Sequence, residues 1–253
     1  MFRTLLAKEL REQLRTHRLL IMVAVLLVSG LISPLLARYT PLLLRSVPGI
    51  PAEMTAMIPE PSIQDAFTQY IKNVSQFGLI LAIVLTMGSM AQELERGTAA
   101  MLLTKPVQRS AVVLSKWLAG MLCMIAGLLL AALGAAFYTL VLFQPFSLFD
   151  FLVANVLMAL FLAFYMTLAL LASTLARSQS MAAAGAFGGL LLALILDALP
   201  VVGNYMPAQL LDEAGKIMMG VENAVAWTTL IAVLGMVVLF LGVACLRFER
   251  EEI

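Results

Sequence analysis

Few residues in this chain are of a type and spacing that could do chemistry. His17 is the single histidine, and it stands near the N-terminus in a basic stretch. A Ser/His hydrolase would lack its general base wherever a membrane-buried substrate could sit. The sequence contains no HExxH pair and no GxxxxGK[ST] loop, so neither a zinc protease site nor a phosphate-cradling P-loop is present. Cys123 and Cys245 lie in apolar runs without a CxxC spacing and read as small hydrophobes. Sixteen methionines invite a soft-metal path, with Met54 and Met57 or Met87 and Met90 as ligands for Cu(I). No clustered Cys or His supports it, and methionine is an ordinary filler of apolar helices. Ionisable groups inside apolar runs normally mark ion or proton paths. Here only Asp150 and Asp197 come near such runs, both at their edges, while Tyr138, Asn155, Tyr165, Thr167 and Ser173 are neutral and suit helix–helix hydrogen bonding.

Two polar segments carry more information. The first is Phe2–Arg18, where Phe2, Leu6, Leu10 and Leu14 recur every four residues among Arg3, Lys8, Arg11, Arg15 and Arg18. That pattern predicts an amphipathic basic helix lying in a headgroup plane, either as a plain anchor or as an elbow that also touches a cytosolic partner. The second is Gln92–Trp117. Glu93, Glu95 and Arg96 extend a preceding helix, Gly97 suits its left-handed terminus, and Thr98 can cap a new helix. Pro106 and its restriction on Lys105 end that helix after about two turns. Ser110 is placed to cap the next one. The expected product is a short, mostly apolar helix, Ala99–Thr104, laid across the membrane surface and presenting Met101, Leu102 and Leu103 where water would otherwise be.

The elements that must position these segments follow from composition. Of 253 residues, 62% are hydrophobic and 12% charged, roughly half the charged share usual for a soluble domain. Uncharged stretches long enough to cross about 30 Å of hydrocarbon at 1.5 Å per residue occur six times. The expected spans are about 19–37, 73–92, 117–143, 151–174, 179–198 and 223–246. They lack barrel-strand alternation, so the fold class is an all-α polytopic membrane protein of six transmembrane helices. Residues 1–18 form the elbow and 19–253 the membrane domain. Twelve of the sixteen Lys/Arg, namely Arg3, Lys8, Arg11, Arg15, Arg18, Arg96, Lys105, Arg109, Lys116, Arg177, Arg247 and Arg250, fall on one side, leaving Arg38, Arg45, Lys72 and Lys216 on the other. The positive-inside rule then puts both termini in the cytosol, and the expected location is a bacterial plasma (inner) membrane, with no cleavable signal peptide. Outer loops 38–72 and 199–222 are longer than turns. Pro41, Pro48, Pro51, Pro59 and Pro61 predict an irregular cap with a helix from about Ser62, and Ala208–Met219 reads as an amphipathic interfacial helix.

The run Glu93-Leu-Glu-Arg-Gly-Thr98, then Leu102-Leu-Thr-Lys-Pro-Val107, Arg109 and Lys116, resembles the cytosolic loop of type-2 ABC exporter permeases, nearest the NosY-like and sodium-efflux-type branch. The elbow, six spans, long first outer loop and short helices before span six extend the resemblance over essentially the whole chain. It implies that the short helix is a coupling helix docked in an ATPase groove. Glu93, Glu95, Arg96, Gly97 and Thr98 would form or brace that contact, and Ala99, Ala100, Met101, Leu102, Leu103 and Thr104 would be the inserted element. It further implies two cytosolic ATPase subunits that bind ATP and Mg, no cofactor or metal in this chain, and a second permease copy in a homodimer or heterodimer. A partner at the outer face is compatible with this reading, and nucleic acid is not expected. The neutral span interior fits lipid-like, hydrophobic or peptide cargo, or force passed to an outer partner, with export the expected direction. The rival reading is a non-transporting membrane scaffold or sensor, which would not depend on an ATPase; catalysis by this chain is not expected in either case.

Overall fold

The computed structural model describes residues 2–46, 60–95, 108–221 and 224–250. Among these it is helical throughout, with no strand. In chain order the helices are α1 (Phe2–Arg15), α2 (Arg18–Arg45), α3 (Ile63–Thr86), α4 (Ala91–Glu95), α5 (Arg109–Leu142), α6 (Leu148–Leu175), α7 (Gln179–Asp197), α8 (Ala208–Met218) and α9 (Trp227–Glu249), with a 3-10 turn at Gly203–Tyr205. Six of these stretches are long and apolar enough to cross a membrane: α2, α3 together with α4, α5, α6, α7 and α9. The chain is therefore a multi-pass membrane protein. An even number of crossings puts both ends on one side, called here the terminal face.

Local sequence explains three helix starts. Ser62 accepts from the Asp65 amide while the Asp65 carboxylate accepts from the Ser62 amide at 2.9 Å, a reciprocal cap that starts α3. Ser147 and Ser178 cap α6 and α7 in the simpler way. The start of α5 differs from expectation: it begins at Arg109, with Gln108 in the cap position and no side-chain hydrogen bond, rather than behind Ser110. The far end of α2 also differs. It continues through Pro34 and Pro41 to Arg45, where an irregular segment from Tyr39 was expected. Proline's fixed φ is itself helical, so its ring removes one bond and crowds one carbonyl, and packing of α2 on α3 and α5 outweighs that loss.

α6 is the most enclosed span and forms the central column, with α3, α7, α8 and α9 packed around it. α2 crosses α5 so closely that a Cβ on Gly30 would run into the Ala131 backbone carbonyl. Gly127 and Gly134 continue the same seam against Leu26 and Leu31. Small residues let two backbones approach in lipid, where packing rather than water exclusion holds helices together. α8 does not cross. It lies against α6 and α3 at the face opposite the termini, burying Leu210, Glu213, Ala214, Ile217 and Met218.

A charged junction at the terminal face

The site begins with a break in a helix. The second crossing runs from Ile63 to Glu95, but turns at Met87–Met90 interrupt it. Gly88 and Ser89 weaken the helix there, and the interruption strands amide groups that would otherwise bond one turn back. Ser173 of α6 satisfies them: its buried hydroxyl oxygen accepts from Met90 N and Ala91 N, each at 3.0 Å. The chain then re-forms helix as α4, which carries Glu93 and Glu95 toward the terminal face.

Glu93 enters a four-member ion cluster. Lys116 Nζ donates to Glu93 Oε1 at 2.8 Å and to Glu9 Oε2 at 3.1 Å. Lys8 Nζ lies 3.2 Å from Glu9 Oε1 and 3.5 Å from Glu93 Oε1. The side chains of Lys116 and Glu9 are only 4% and 7% exposed, and that of Glu93 17%. Glu9 is the one buried residue of α1. Two cations alternate with two carboxylates, so the buried charges cancel, and each carboxylate accepts from both lysines. A single buried pair would barely repay its desolvation, whereas a satisfied network is rigid and costly to break from one side. For Lys8, burial pulls the ammonium's pKa down, but the Glu9 and Glu93 carboxylates outweigh it and raise it above the ordinary lysine value.

Two further contacts anchor the flanks of residues 96–107. Glu95 Oε2 accepts from Gln179 N at 3.0 Å, placing a carboxylate at the positive N-terminal end of α7. Beyond the segment, Arg109 Nη1 donates to the Glu249 carbonyl at 3.2 Å, a cation at the negative end of α9. The flanks are thus tied to α1, α5, α6, α7 and α9.

Of the expected coupling residues, the structure describes Glu93 and Glu95 and brings both into this junction. Arg96, Gly97, Thr98 and Ala99–Thr104 lie outside the described residues. Of the expected elbow cations, Arg3, Arg11 and Arg15 are exposed on α1, Arg18 is half-buried at the start of α2, and Lys8 turns to the carboxylates. Leu5 and Leu10 of α1 pack on the membrane core. Sequence reasoning missed Lys116, Glu9 and Ser173 as partners. The available signal was a lysine seven positions inside α5, directly before Trp117, whose indole Nε1–H donates to Thr167 at 2.8 Å.

The profile of the ABC-2 family transporter proteins matches residues 3–214. The chain belongs to that family. A curated relative is an uncharacterized transmembrane protein, YxlG, of Bacillus subtilis strain 168, 27% identical over 98% of this chain and 97% of the relative. As an ABC-2 member the protein is the membrane permease subunit of an ABC transporter, a class whose members work with a cytosolic ABC ATPase and carry no catalytic activity themselves. Apart from Glu249 of α9, the junction lies within the matched region.

Proposed function

We propose that this permease couples ATP hydrolysis on two cytosolic ATPase subunits to movement of a substrate or of force across the membrane, with residues 96–107 as the receiving loop. The observation that carries this reading is the anchoring of both flanks of that loop to five helices through Glu93, Glu95, Ser173 and Arg109. A displacement applied to a loop on free tethers would dissipate. Applied here, it moves the ends of α5, α7 and α9 and the elbow α1 together. The Lys/Arg distribution supports assigning the terminal face to the cytosol. Arg3, Arg11 and Arg15 then face anionic lipid while Glu9 ties α1 into the protein.

In the mechanism, Ala99–Thr104 docks in the ATPase with Arg96, Gly97 and Thr98 bracing it. ATP and Mg reside on that partner. Closure of two ATPases drags two permease copies, a homodimer in the simplest assembly, and the α4–α5 junction transmits the motion to the spans. The loop signature favours export and the NosY-like and sodium-efflux-type branch. The test is to purify the tagged permease with its ABC ATPase and measure ATP turnover of the complex. Deletion of Ala99–Thr104 is expected to release the ATPase while the permease stays folded. A complex that survives the deletion with unchanged turnover overturns the assignment, and a permease with which no ABC ATPase co-purifies favours the scaffold reading.

A further inference from the structure

A groove of about 490 Å³ opens between α3 and α8 on the face opposite the termini. Its floor is apolar, with Ile71 and Leu211, and its rim carries Lys72, Lys216, Asp212 and Thr68, while the buried Ser75 hydroxyl in its lining donates to the Lys72 carbonyl. Among the described residues neither lysine ammonium has a carboxylate within ion-pair distance, although Lys216 lies one turn from the buried Glu213. Two cations and one carboxylate beside an apolar floor make an amphiphilic site rather than a solvated patch.

Depth decides what can reach it. Arg177 follows α6 directly and fixes that end of the helix at a headgroup layer. From Leu175 back to Asn155 the helix rises about 30 Å, the thickness of the hydrocarbon core. Asn155 therefore marks the opposite boundary. Tyr70 donates its hydroxyl to Asn155 Oδ1 at 2.6 Å, which sets Tyr70 at the same level, and Lys72 is the second residue after it on α3. A lysine there reaches the phosphate layer by extending its stem along apolar surface.

We propose that this groove holds the headgroup of a phospholipid from the leaflet opposite the termini, its phosphate between Lys72 and Lys216 and an acyl chain along Ile71 and Leu211. Asp212, on the same rim, accepts the headgroup amine, so the site takes an aminophospholipid of the phosphatidylethanolamine type. The site stands whichever face is cytosolic, and it does not depend on the ATPase coupling.

Native mass spectrometry of the purified, delipidated protein with added phosphatidylethanolamine tests it. The double substitution Lys72→Gln and Lys216→Gln is expected to lower the bound fraction at least tenfold. Arg38→Gln, which removes a cation outside the groove that sits over the Phe143 ring, is expected to leave it unchanged. Asp212→Asn is expected to erase the preference for phosphatidylethanolamine over phosphatidylglycerol. Equal retention by the double variant and the wild type overturns the site. Displacement of the lipid by millimolar phosphoethanolamine alone assigns the groove to a soluble solute and overturns the lipid.

Discussion

Glu9 and Lys116 lie 107 positions apart in the chain and meet at 3.1 Å in a pocket that excludes most water. That contact makes the N-terminal helix a structural part of the third crossing. It also sets the energetic asymmetry of the junction: all four charges together are tolerable, and three are not.

Lys116→Met is expected to leave Glu9 and Glu93 facing one another with only the half-exposed Lys8 between them. Removing one partner of a buried ion network costs about 3–5 kcal/mol. The detergent-solubilised variant should melt at a clearly lower temperature. The triple variant Glu9→Gln, Glu93→Gln, Lys116→Met should recover most of that loss, since no buried charge remains. Equal destabilisation of the single and triple variants would show that the network's charge is irrelevant.

Ser173→Ala removes the oxygen that two amides share. Leaving buried donors unsatisfied costs about 1–3 kcal/mol each, so a total loss of a few kcal/mol is expected. Hydrogen–deuterium exchange should accelerate first in the peptide spanning Met87–Glu95. Unaltered protection there would mean that the break does not need the serine.

Gly30→Val should separate α2 from α5, because the new Cβ would collide with backbone rather than with a side chain that can rotate away. Overpacking of this kind costs about 1–3 kcal/mol, more where backbone must shift. Gly235→Val is the matched control, since open space surrounds that glycine. Size-exclusion profiles and melting temperatures of the two variants should differ, with only Gly30→Val showing loss of folded protein.

Glu213 is 1% exposed, and among the described residues neither carboxyl oxygen makes a well-formed hydrogen bond, although the Thr229 hydroxyl and the Ala226 amide lie close by. Its nearest hydroxyl, on Thr229, already donates to the Asn204 carbonyl at 2.9 Å. The Thr229 oxygen can still accept from the protonated acid, and burial outweighs the help that Thr229, the Ala226 amide and Lys216 give the carboxylate. Burial raises the Glu213 pKa above its ordinary 4.5, so the folded chain holds this proton more tightly than the unfolded one. The stability it lends is complete below about pH 4.5 and drains away as pH rises through the raised folded value. Glu213→Gln should flatten that slope and raise the melting temperature at pH 8 relative to the wild type. A steeper slope in the variant would reverse the sign of the argument.

Six crossings and their helical nature could be read directly, because lipid demands long uncharged runs with self-satisfied backbones. Helix starts with a reciprocal or serine cap, such as Ser62, were equally accessible. The junction was not. Lys116 borders an apolar run and reads as one of the cations of that membrane side, since nothing local reveals a partner on α1. The interruption at Met87–Met90 was hidden because the Gly88–Ser89 pair only weakens a helix, and the hydroxyl that makes the break affordable comes from Ser173, far along the chain. Ala208–Met219 reads as an amphipathic helix, but that Glu213 turns inward depends on where α6 lies. Pairings across the bundle are properties of the assembled helices, and a single sequence does not display them.

The burial of Glu9 also dictates an order of assembly. A ribosome releases α1 long before Lys116, so the newborn helix must wait at the bilayer surface with Glu9 matched only by the neighbouring Lys8. Its seat exists only after the third crossing has been inserted. Closure of the elbow is therefore a late step in biogenesis, and a chain truncated before Lys116 should leave its first helix undocked.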